Sequence, residues 1–300
     1  MKNNLKGSII LLITAIIWGF AFVAQSEGME KIGPFTFQAS RMLLAAIVLF
    51  PASCVSYKLK KKQNENERFI DKKTLIAGVI CGLLLFTAAT LQQIGIQYTS
   101  VGHAGFLTAL YILIVPILGI FAGKKISVRL WGCIVIAIVG LYLLCMTGEG
   151  FSMSIGDILV TLCALVFSFH ILAVDKLANG LDGIRISMIQ MLVAGLISLV
   201  CMFIFEEVQV SDILSSWIPI AYAGVLSCGV AYTMQIIGQK YASPTVASII
   251  MSLESVFAVL GGALILVQIP SLLEAIGCTL MFAATVISQL PEKQKINNFS

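Results

Sequence analysis

"LQQIGIQYTS" at residues 91–100 returns as "MQIIGQKYAS" at residues 234–243. A shift of 143 residues superimposes the glutamine, an isoleucine, the glycine, the tyrosine and the serine of the two stretches. The tyrosine lies six residues after the glutamine in both copies. This repetition indicates that one structural unit is built twice in the chain.

The repeat extends well beyond these ten residues. "GSIILLITAIIWGFAF" from Gly7 aligns with "GDILVTLCALVFSFHI" from Gly156 at a shift of 149, and "QASRMLLAA" (38–46) aligns with "SMIQMLVAG" (187–195) at the same shift. Gly132-Cys133 also matches Gly277-Cys278. The alignment predicts a first repeat over residues 1–147, a second over residues 148–290 and a tail over residues 291–300.

Composition places both repeats in a membrane. The chain of 300 residues is 59% hydrophobic and 11% charged, with a mean hydropathy of +0.99, whereas soluble domains contain about 25% charged residues. A membrane-spanning helix needs roughly 20 apolar residues. Ten such stretches are predicted: Leu5–Gln25, Phe35–Tyr57, Thr74–Gln97, Gly102–Ala122, Val128–Met146, Ile155–Leu177, Arg185–Phe205, Trp217–Gly238, Pro244–Val267 and Leu272–Leu290.

Five spans per repeat give the second repeat the opposite orientation in the bilayer. An odd number of crossings ends on the far side, so the next repeat enters the membrane from there. The sequence therefore predicts an all-α integral membrane protein of ten transmembrane helices in two inverted five-helix repeats. Inverted repeats are typical of transporters, whose substrate site lies near the midplane between the repeats.

Basic residues predict which ends face the cytoplasm. Of the 19 Lys and Arg residues, all except Lys31 and Arg41 fall in the two termini, in the even-numbered breaks between predicted spans, or in the first or last two residues of a span beside them. Cytoplasmic loops are enriched in Lys and Arg. We therefore expect a multi-pass protein of the plasma membrane with both termini in the cytoplasm, and the net charge of +4 reflects this topology.

The topology can be tested by labelling. We predict that Asn64 and Lys295 are cytoplasmic and that Glu149 lies outside. Single cysteines at these positions, in a background without native cysteines, are treated with an impermeant thiol reagent. Labelling of position 64 from outside intact cells contradicts the orientation and the inverted repeat together.

Several function classes lack support in the sequence. The eight cysteines lie in or at the ends of apolar spans without a CxxC pair or a Cys/His cluster, which favours buried small side chains over disulfides or a metal site. HExxH, GxSxG and GxxxxGK[ST] motifs are not present, so the sequence favours neither an enzyme nor an ATP-driven pump. We expect no cofactor. The expected partners are a small-molecule substrate and the lipid bilayer, with no nucleic acid, and a homodimer stays open.

Several stretches in both repeats resemble one family. They are "IIWGFAF" (16–22), "SRMLLAA" (40–46), "QYTSVGHAGFLTALYILIVPILGIFAGKKIS" (97–127), "GQKYASPTVASIIMSLESVFAVLGGALIL" (238–266) and "EAIGCTLMFAATVI" (274–287). On these residues the chain resembles the EamA-type, ten-helix branch of the drug/metabolite transporter superfamily. The resemblance covers almost the whole chain.

The resemblance implies a secondary transporter that exports a small metabolite, an amino acid or a drug-like solute by alternating access. The direction of transport rests on the resemblance alone. A lipid or polyprenol-carrier translocase of the same fold is the alternative, and it needs a cavity open sideways to lipid. Family members usually carry a Gly-Glu pair after their fourth and ninth helices, where this chain has Gly123-Lys124 and Val267-Gln268. Any role of that glutamate therefore does not transfer.

Glu254 is the acid that the sequence places deepest in a predicted span. Its counterpart in the first repeat, at a shift of 143, is Tyr111. A carboxylate at this depth needs a partner, or it takes up a proton. It is either a proton or cation-substrate site or one half of a structural hydrogen bond; both readings stay open.

The repeated glutamines are candidates for the wall of a shared cavity. Gln92 and Gln235 occupy matching points of the third and eighth spans, and their amides need hydrogen-bond partners within the bilayer. They could bind a zwitterionic or amphipathic solute, or they could join neighbouring helices. Tyr232 lies one turn from Gln235, and Trp18 could add an aromatic wall from the first span.

Four further polar groups are predicted from position. Arg41 is expected to clamp helix-end carbonyls or a carboxylate, and Gln190 is its counterpart in the second repeat. His170 is either a satisfied core group or a cavity residue. Asp175 is expected to pair with Lys176 or Arg185 near the membrane surface. Pro116 is expected to break the fourth span near its middle.

Overall fold

The computed structural model describes residues 2–63, 65–99, 101–145, 154–265 and 270–290. Every regular element in these ranges is helical. Eight helical stretches are long and apolar enough to cross a membrane. They are Leu5–Gly28, Pro34–Lys61, Lys72–Ile96, Ala104–Phe121, Ile155–Leu177, Gly183–Phe205, Trp217–Gln239 and Leu272–Gln289.

The other two predicted spans coincide with shorter apolar helices, Val128–Leu144 and Pro244–Leu260. The all-helical membrane class is thus confirmed, and the count of ten spans stays a prediction. The elements in order are α1 (Lys2–Gly28), α2 (Pro34–Lys61), α3 (Lys72–Ile96), α4 (Val101–Ala109), α5 (Tyr111–Phe121), α6 (Val128–Cys145), α7 (Ile155–Leu177), α8 (Gly183–Phe205), α9 (Val210–Ser215), α10 (Trp217–Ala221), a π-helix (Tyr222–Ala231), α11 (Tyr232–Gln239), α12 (Pro244–Met251), α13 (Glu254–Ile265) and α14 (Leu272–Gln289).

Side-chain caps fix where several helices begin. The Asp71 carboxylate accepts from the backbone N–H of Thr74 at 2.7 Å and starts α3. Ser154 and Ser271 start α7 and α14 through capping boxes. Each cap satisfies a backbone donor that the first helical turn leaves unpaired. In the described residues, these ends lie within a few residues of the predicted ones.

Two predicted spans are interrupted, the fourth at a different place from the predicted one and the ninth without a predicted break. The chain leaves the helix at Leu110 between α4 and α5, and at residues 252–253 between α12 and α13. The predicted break at Pro116 is wrong, because Pro116 lies inside α5. Val259, its counterpart at a shift of 143, is not a proline and also lies inside a helix. A proline therefore does not explain a break that occurs in both repeats.

A second unpredicted feature is the wide π-helix between α10 and α11. It covers ten residues, Tyr222–Ala231. The matching part of the first repeat lies within α3, which is regular throughout. The wider turn leaves carbonyls for side chains of α1, since the indole N–H of Trp18 donates to Ser227 O at 3.4 Å and Thr14 Oγ1 donates to Ala231 O at 3.4 Å.

Glycines of the repeated stretch sit where helices cross closely. A Cβ on Gly156 of α7 would lie 2.6 Å from the carbonyl oxygen of Gly95 in α3. A Cβ on Gly7 of α1 would lie 3.0 Å from the carbonyl oxygen of Gly238 in α11. Small residues allow such close backbone approach in membranes. Gly95 corresponds to Gly238 and Gly7 to Gly156, so the repeated stretch builds the same crossing twice.

The α2–α8 pair is tied at both ends. At one end, the Glu206 carboxylate accepts from the backbone N–H groups of Phe35 and Thr36 at 2.7 and 2.8 Å, and so caps α2. At the other end, Asp182 caps α8 and accepts from Ser56 at 2.5 Å and from Lys60 at 3.0 Å. We call this second end, with residues 56–73 and 178–185, the basic end.

Arg185 anchors the loop at the basic end. Its buried guanidinium forms an ion pair with Glu67 and donates to the carbonyls of Arg68 at 2.7 Å and Phe69 at 3.0 Å. The chain between α2 and α3 is thereby held against α8. The three residues of the topology test, Asn64, Glu149 and Lys295, lie outside the described residues, as do Val267-Gln268 and the predicted tail.

We expect Asp182→Asn to lower the melting temperature near neutral pH. Burial alone would raise the pKa of Asp182, but the hydrogen bond from Ser56 and the hydrogen bond and charge of Lys60, with the charge of Arg185, lower it from 3.8 to about 2. The ionised carboxylate therefore adds stability above pH 3.8, which is lost as the pH falls towards 2, an effect of about 2 kcal/mol.

The measurement is a melting curve in detergent at a series of pH values. The difference in melting temperature between the wild type and Asp182→Asn should become smaller below pH 3.8. Glu65→Gln, at an exposed position of the same loop, is the control and should leave the curves unchanged. A gap that stays constant down to the lowest pH would show that Asp182 acts without its charge.

Candidate functional site

A central cavity lies between helices of both repeats. It holds about 550 Å³ of empty space, a figure that includes its open mouth. Its wall is formed by Trp18, Ala21, Phe22, Gln25, Arg41, Gln92, Thr108, Tyr111, Phe167, Ile171, Ser227, Tyr232, Gln235, Met251 and Glu254. The structure thus brings together six of the seven cavity residues predicted from the sequence.

Glu254 and Tyr111 meet in this cavity. The Tyr111 hydroxyl donates to Glu254 Oε1 at 3.0 Å, and both side chains are buried, with 4% and 5% of their surface exposed. Tyr111 is the first residue of α5 and Glu254 the first of α13. The hydrogen bond therefore joins the two helix breaks.

Arg41 also lies on the cavity wall. Its Nη1 donates to Gln25 Oε1 at 3.1 Å, and the guanidinium lies 5.4 Å from the centre of the Phe37 ring, within cation–π range. Nε is buried without a hydrogen-bond partner among the described residues. Among the described residues, an amide and a ring take the place of the expected carbonyls or carboxylate, and no carboxylate pairs with the guanidinium.

The two repeated glutamines differ in their surroundings. Gln92 donates its amide N–H to Thr108 Oγ1 at 3.2 Å. Gln235 is 2% exposed, and its Oε1 has no hydrogen-bond partner in the described part of the chain. A buried amide oxygen without a partner is costly, so this group is available to a donor on a bound molecule.

Aromatic rings form one side of the cavity. The rings of Trp18 and Tyr232 lie 4.8 Å apart at an angle of 59°, and Phe22 and Phe167 complete this apolar surface. Rings at such distances attract one another beyond the area they bury. The wall suits a flat or apolar part of a small molecule.

His170 lies behind the cavity rather than on its wall. Its Nε2 is 3.1 Å from Gln190 Oε1, and both residues are fully buried. The rings of His170 and Tyr232 are nearly perpendicular, with 6.1 Å between their centres. His170 and Gln190 therefore support a cavity residue without lining the cavity.

Asp175 has a different partner from the predicted one. Its carboxylate accepts from Lys124 Nζ at 2.8 Å, not from Lys176 or Arg185. Lys124 follows α5, which packs against α7. The two residues are 51 positions apart in the sequence, so their pairing depends on this packing and was not predicted. Lys124 occupies the position where the family pattern has its glutamate.

Several cavity residues were not predicted, although they carry a signal. Gln25 lies seven residues after Trp18, on the same face of α1. Thr108 precedes Tyr111 by three residues, and Met251 precedes Glu254 by three. Thr108 and Met251 also correspond at the shift of 143, so one turn before each helix break faces the cavity in both repeats.

The cavity combines the Arg41 guanidinium, the Glu254 carboxyl group, the amide oxygen of Gln235 that is unpaired within the described ranges, and an aromatic surface. Arg41 and Glu254 form no ion pair with each other in the part of the chain that the structure describes, so each of them can be matched by a group on a bound molecule. Buried ionisable groups inside membrane helices usually serve function. This arrangement can bind a small solute that carries a positive group, a negative group or both.

The chain is similar to known proteins in sequence and in fold. The model of the EamA-like transporter family matches residues 5–146 and 154–289. A protein of Archaeoglobus fulgidus named as an uncharacterized transporter is 27% identical over 294 residues, covering 96% of this chain and 87% of that protein. A solved crystal structure superimposes with a TM-score of 0.78 at 18% identity, covering 95% of this chain and 98% of that one; it supports the fold alone.

Proposed function

The chain belongs to the EamA-like transporter family, and from this we propose that it is a secondary transporter that moves a small solute by alternating access. The observation that carries the proposal is the central cavity, because both repeats supply polar side chains to it. A site shared between two repeats can face either side of the membrane as they move against one another. The chain is thus a transporter rather than an enzyme in this proposal.

The proposed architecture is ten spans in two inverted repeats. Three features support it: the matching glycine crossings, the matching helix breaks, and the contact between Tyr111 and Glu254. Residues that correspond under a twofold axis can touch each other only beside that axis. The hydrogen bond across the shift of 143 therefore favours an axis through the cavity.

The proposed location is the plasma membrane. In the proposed orientation, both termini and the basic end face the cytoplasm. The support is the charge asymmetry, since positively charged loops stay inside. The two family matches, to residues 5–146 and 154–289, support the proposed repeat boundaries.

The proposed substrate is a small metabolite, an amino acid or a drug-like solute, exported from the cell. Arg41 and Glu254 favour a zwitterionic or cationic solute, and the ring pair of Trp18 and Tyr232 favours an apolar or aromatic part. The direction of transport comes from the likeness to exporters of this family. No nucleoside-triphosphate motif supplies energy, so an ion or solute gradient drives the cycle.

The test is solute flux in liposomes that contain the purified protein. A panel of radiolabelled amino acids, aromatic amines, sugars and organic acids is loaded inside, and release is followed against protein-free liposomes. Release of zwitterions or amines above the control supports the proposal. A fluorescent short-chain lipid in the same vesicles tests the alternative. Scrambling of that lipid with no solute release would replace a solute carrier by a lipid translocase.

We predict that Gln235→Ala weakens binding of the transported solute about tenfold and leaves the melting temperature nearly unchanged, because its amide oxygen has no protein partner to lose. Gln92→Ala should act in the same direction, with a small loss of stability from the bond to Thr108. Equilibrium binding in detergent and melting curves measure both.

Gln38→Ala is the matched control. Gln38 is buried, bonds to Thr90 and Ser198 at 2.9 and 3.0 Å, and lies outside the cavity wall. It should lose stability with unchanged affinity. If Gln235→Ala behaves like Gln38→Ala, the amide belongs to helix packing.

A further inference from the structure

The two helix breaks have the same local hydrogen bonding. Leu110 N–H bonds to Leu107 O at 3.3 Å, and Leu253 N–H bonds to Ile250 O at 3.2 Å. Both bonds close a tight turn of three residues instead of the usual four, and a short stretch of such turns inside a helix often marks a hinge. Leu110 and Leu253 correspond at the shift of 143.

The residue after each break reaches the other. Tyr111 and Glu254 form a buried hydrogen bond of 3.0 Å. In the described residues, this bond connects the side chains of α5 and α13. Among those residues no second partner of the Glu254 carboxylate is recorded. The same two side chains form part of the cavity wall, so a bound solute meets the bond directly.

The backbone around Glu254 leaves little room for adjustment. A Cβ on Gly19 of α1 would lie 2.7 Å from Glu254 O and 2.8 Å from Ala258 N, so α1 presses against the first turn of α13. The side chain therefore changes partner more easily than the helix changes place.

We propose that, in the empty carrier, the Tyr111 hydroxyl binds the Glu254 carboxylate at the place that a cationic group of the substrate would take. Substrate binding then displaces the hydroxyl from the carboxylate and removes the hydrogen bond that joins the two hinges. This inference rests on the proposed transport function and names Tyr111 as the residue that links occupancy to movement. An ammonium group can replace the phenol because it also donates a hydrogen bond to the carboxylate and adds the attraction between opposite charges.

Arg41 does not compete for this role. Its guanidinium is held by Gln25 and Phe37, and no contact between Arg41 and Glu254 is recorded in the described part of the chain. A solute that fills the cavity thus has two separate tasks: it takes the carboxylate from Tyr111, and it offers an acceptor to Arg41. Only the first affects the hinges, so a simple amine should be sufficient to release them.

The experiment is hydrogen–deuterium exchange of the full chain in detergent, read from peptides that cover each break. Tyr111→Phe removes the hydroxyl and keeps the ring. It should speed exchange about tenfold at both breaks, the equivalent of one hydrogen bond. Faster exchange around Leu253, in the other repeat, is informative when an amine reproduces it in the wild type, because a packing defect caused by the substitution at Tyr111 would not depend on an amine.

The probe is phenethylammonium, with uncharged 2-phenylethanol as its matched control. In the wild type, phenethylammonium should raise exchange at both breaks in a saturable way, to the level of Tyr111→Phe, and phenylethanol should not. Glu254→Gln keeps an acceptor for the hydroxyl without the charge, so its breaks should stay slow and should not respond to phenethylammonium.

Tyr222→Phe serves as the control variant. It removes a hydroxyl that donates to Ile17 O at 3.0 Å, away from the cavity wall, and should leave exchange at both breaks unchanged. Equal exchange around Leu253 in wild type and Tyr111→Phe overturns the inference, and so does equal release by phenylethanol. Solute flux in liposomes reports separately on transport, so the link between the hinges can fail while the transport function stands, or the reverse.

Discussion

Replacing Gly156 with alanine is expected to cause a large loss of stability. The new Cβ would lie 2.6 Å from Gly95 O, 2.7 Å from Tyr98 C and 2.9 Å from Thr99 N. All three are backbone atoms, so no side chain can turn away, and α3 and α7 must separate. Overpacking of this kind costs about 1–3 kcal/mol, occasionally more. Melting temperature and the yield of monodisperse protein measure the loss.

The second copy of the crossing gives an internal comparison. Gly7→Ala should also destabilise, but less, because its contacts with backbone atoms, at 3.0 Å to Gly238 O and 3.3 Å to Tyr241 C, are longer than those of Gly156. Gly132→Ala is the control, since a Cβ there meets no atom within 4 Å. Equal melting temperatures for Gly156→Ala and Gly132→Ala would refute the close crossing.

Substitution of Glu254 by glutamine is expected to cause the largest loss of transport. The amide keeps the shape and still accepts from Tyr111, but it can neither hold a positive charge nor exchange a proton. If Glu254 pairs with a cationic group of the solute, loss of its charge from that buried pair costs about 3 kcal/mol, roughly a hundredfold in rate or affinity. Uptake of the identified solute into liposomes, with and without an imposed pH gradient, is the measurement.

The two roles open for Glu254 give different results. If it carries a proton, the remaining transport of the variant loses its response to the pH gradient. If it is a plain counterion of the substrate, uptake falls while the response stays. Glu206→Gln is the control, because that carboxylate caps α2 outside the cavity and should change stability alone. A variant with wild-type uptake and wild-type pH response assigns Glu254 to structure.

The fold was largely predictable because each span is an apolar run with a clear end. A bilayer forces a backbone without water to form helices, so composition and length are sufficient. The breaks at Leu110 and Leu253 were not predictable. No glycine or proline stands at either one, and the interruption depends on the neighbouring helices. The sequence favoured Pro116 because proline removes a backbone donor, yet α5 continues through it.

The site was predictable wherever the repeat added information. Tyr111, Glu254, Gln92 and Gln235 are identifiable because they are polar residues of apolar spans that correspond in pairs at the same shift, and all four line the cavity. His170 has no polar counterpart in the first repeat, and it lies behind the wall. Which face of a helix meets a cavity depends on rotation about the helix axis, and hydrophobic patterns define that rotation poorly when lipid and protein interior are both apolar.

The π-helix at Tyr222–Ala231 makes the two repeats unequal, since its counterpart in α3 is a regular helix. In the proposed cycle, an empty carrier with two identical repeats would spend equal time open to each side, because its two states would have the same free energy. The wider turn and its bonds to Trp18 and Thr14 remove that degeneracy, so one resting state is favoured in proportion to the difference in free energy. This preference sets the fraction of time that the empty cavity is open to each side of the membrane, but it performs no work over a closed cycle. Net accumulation of a solute still has to come from a gradient outside the protein.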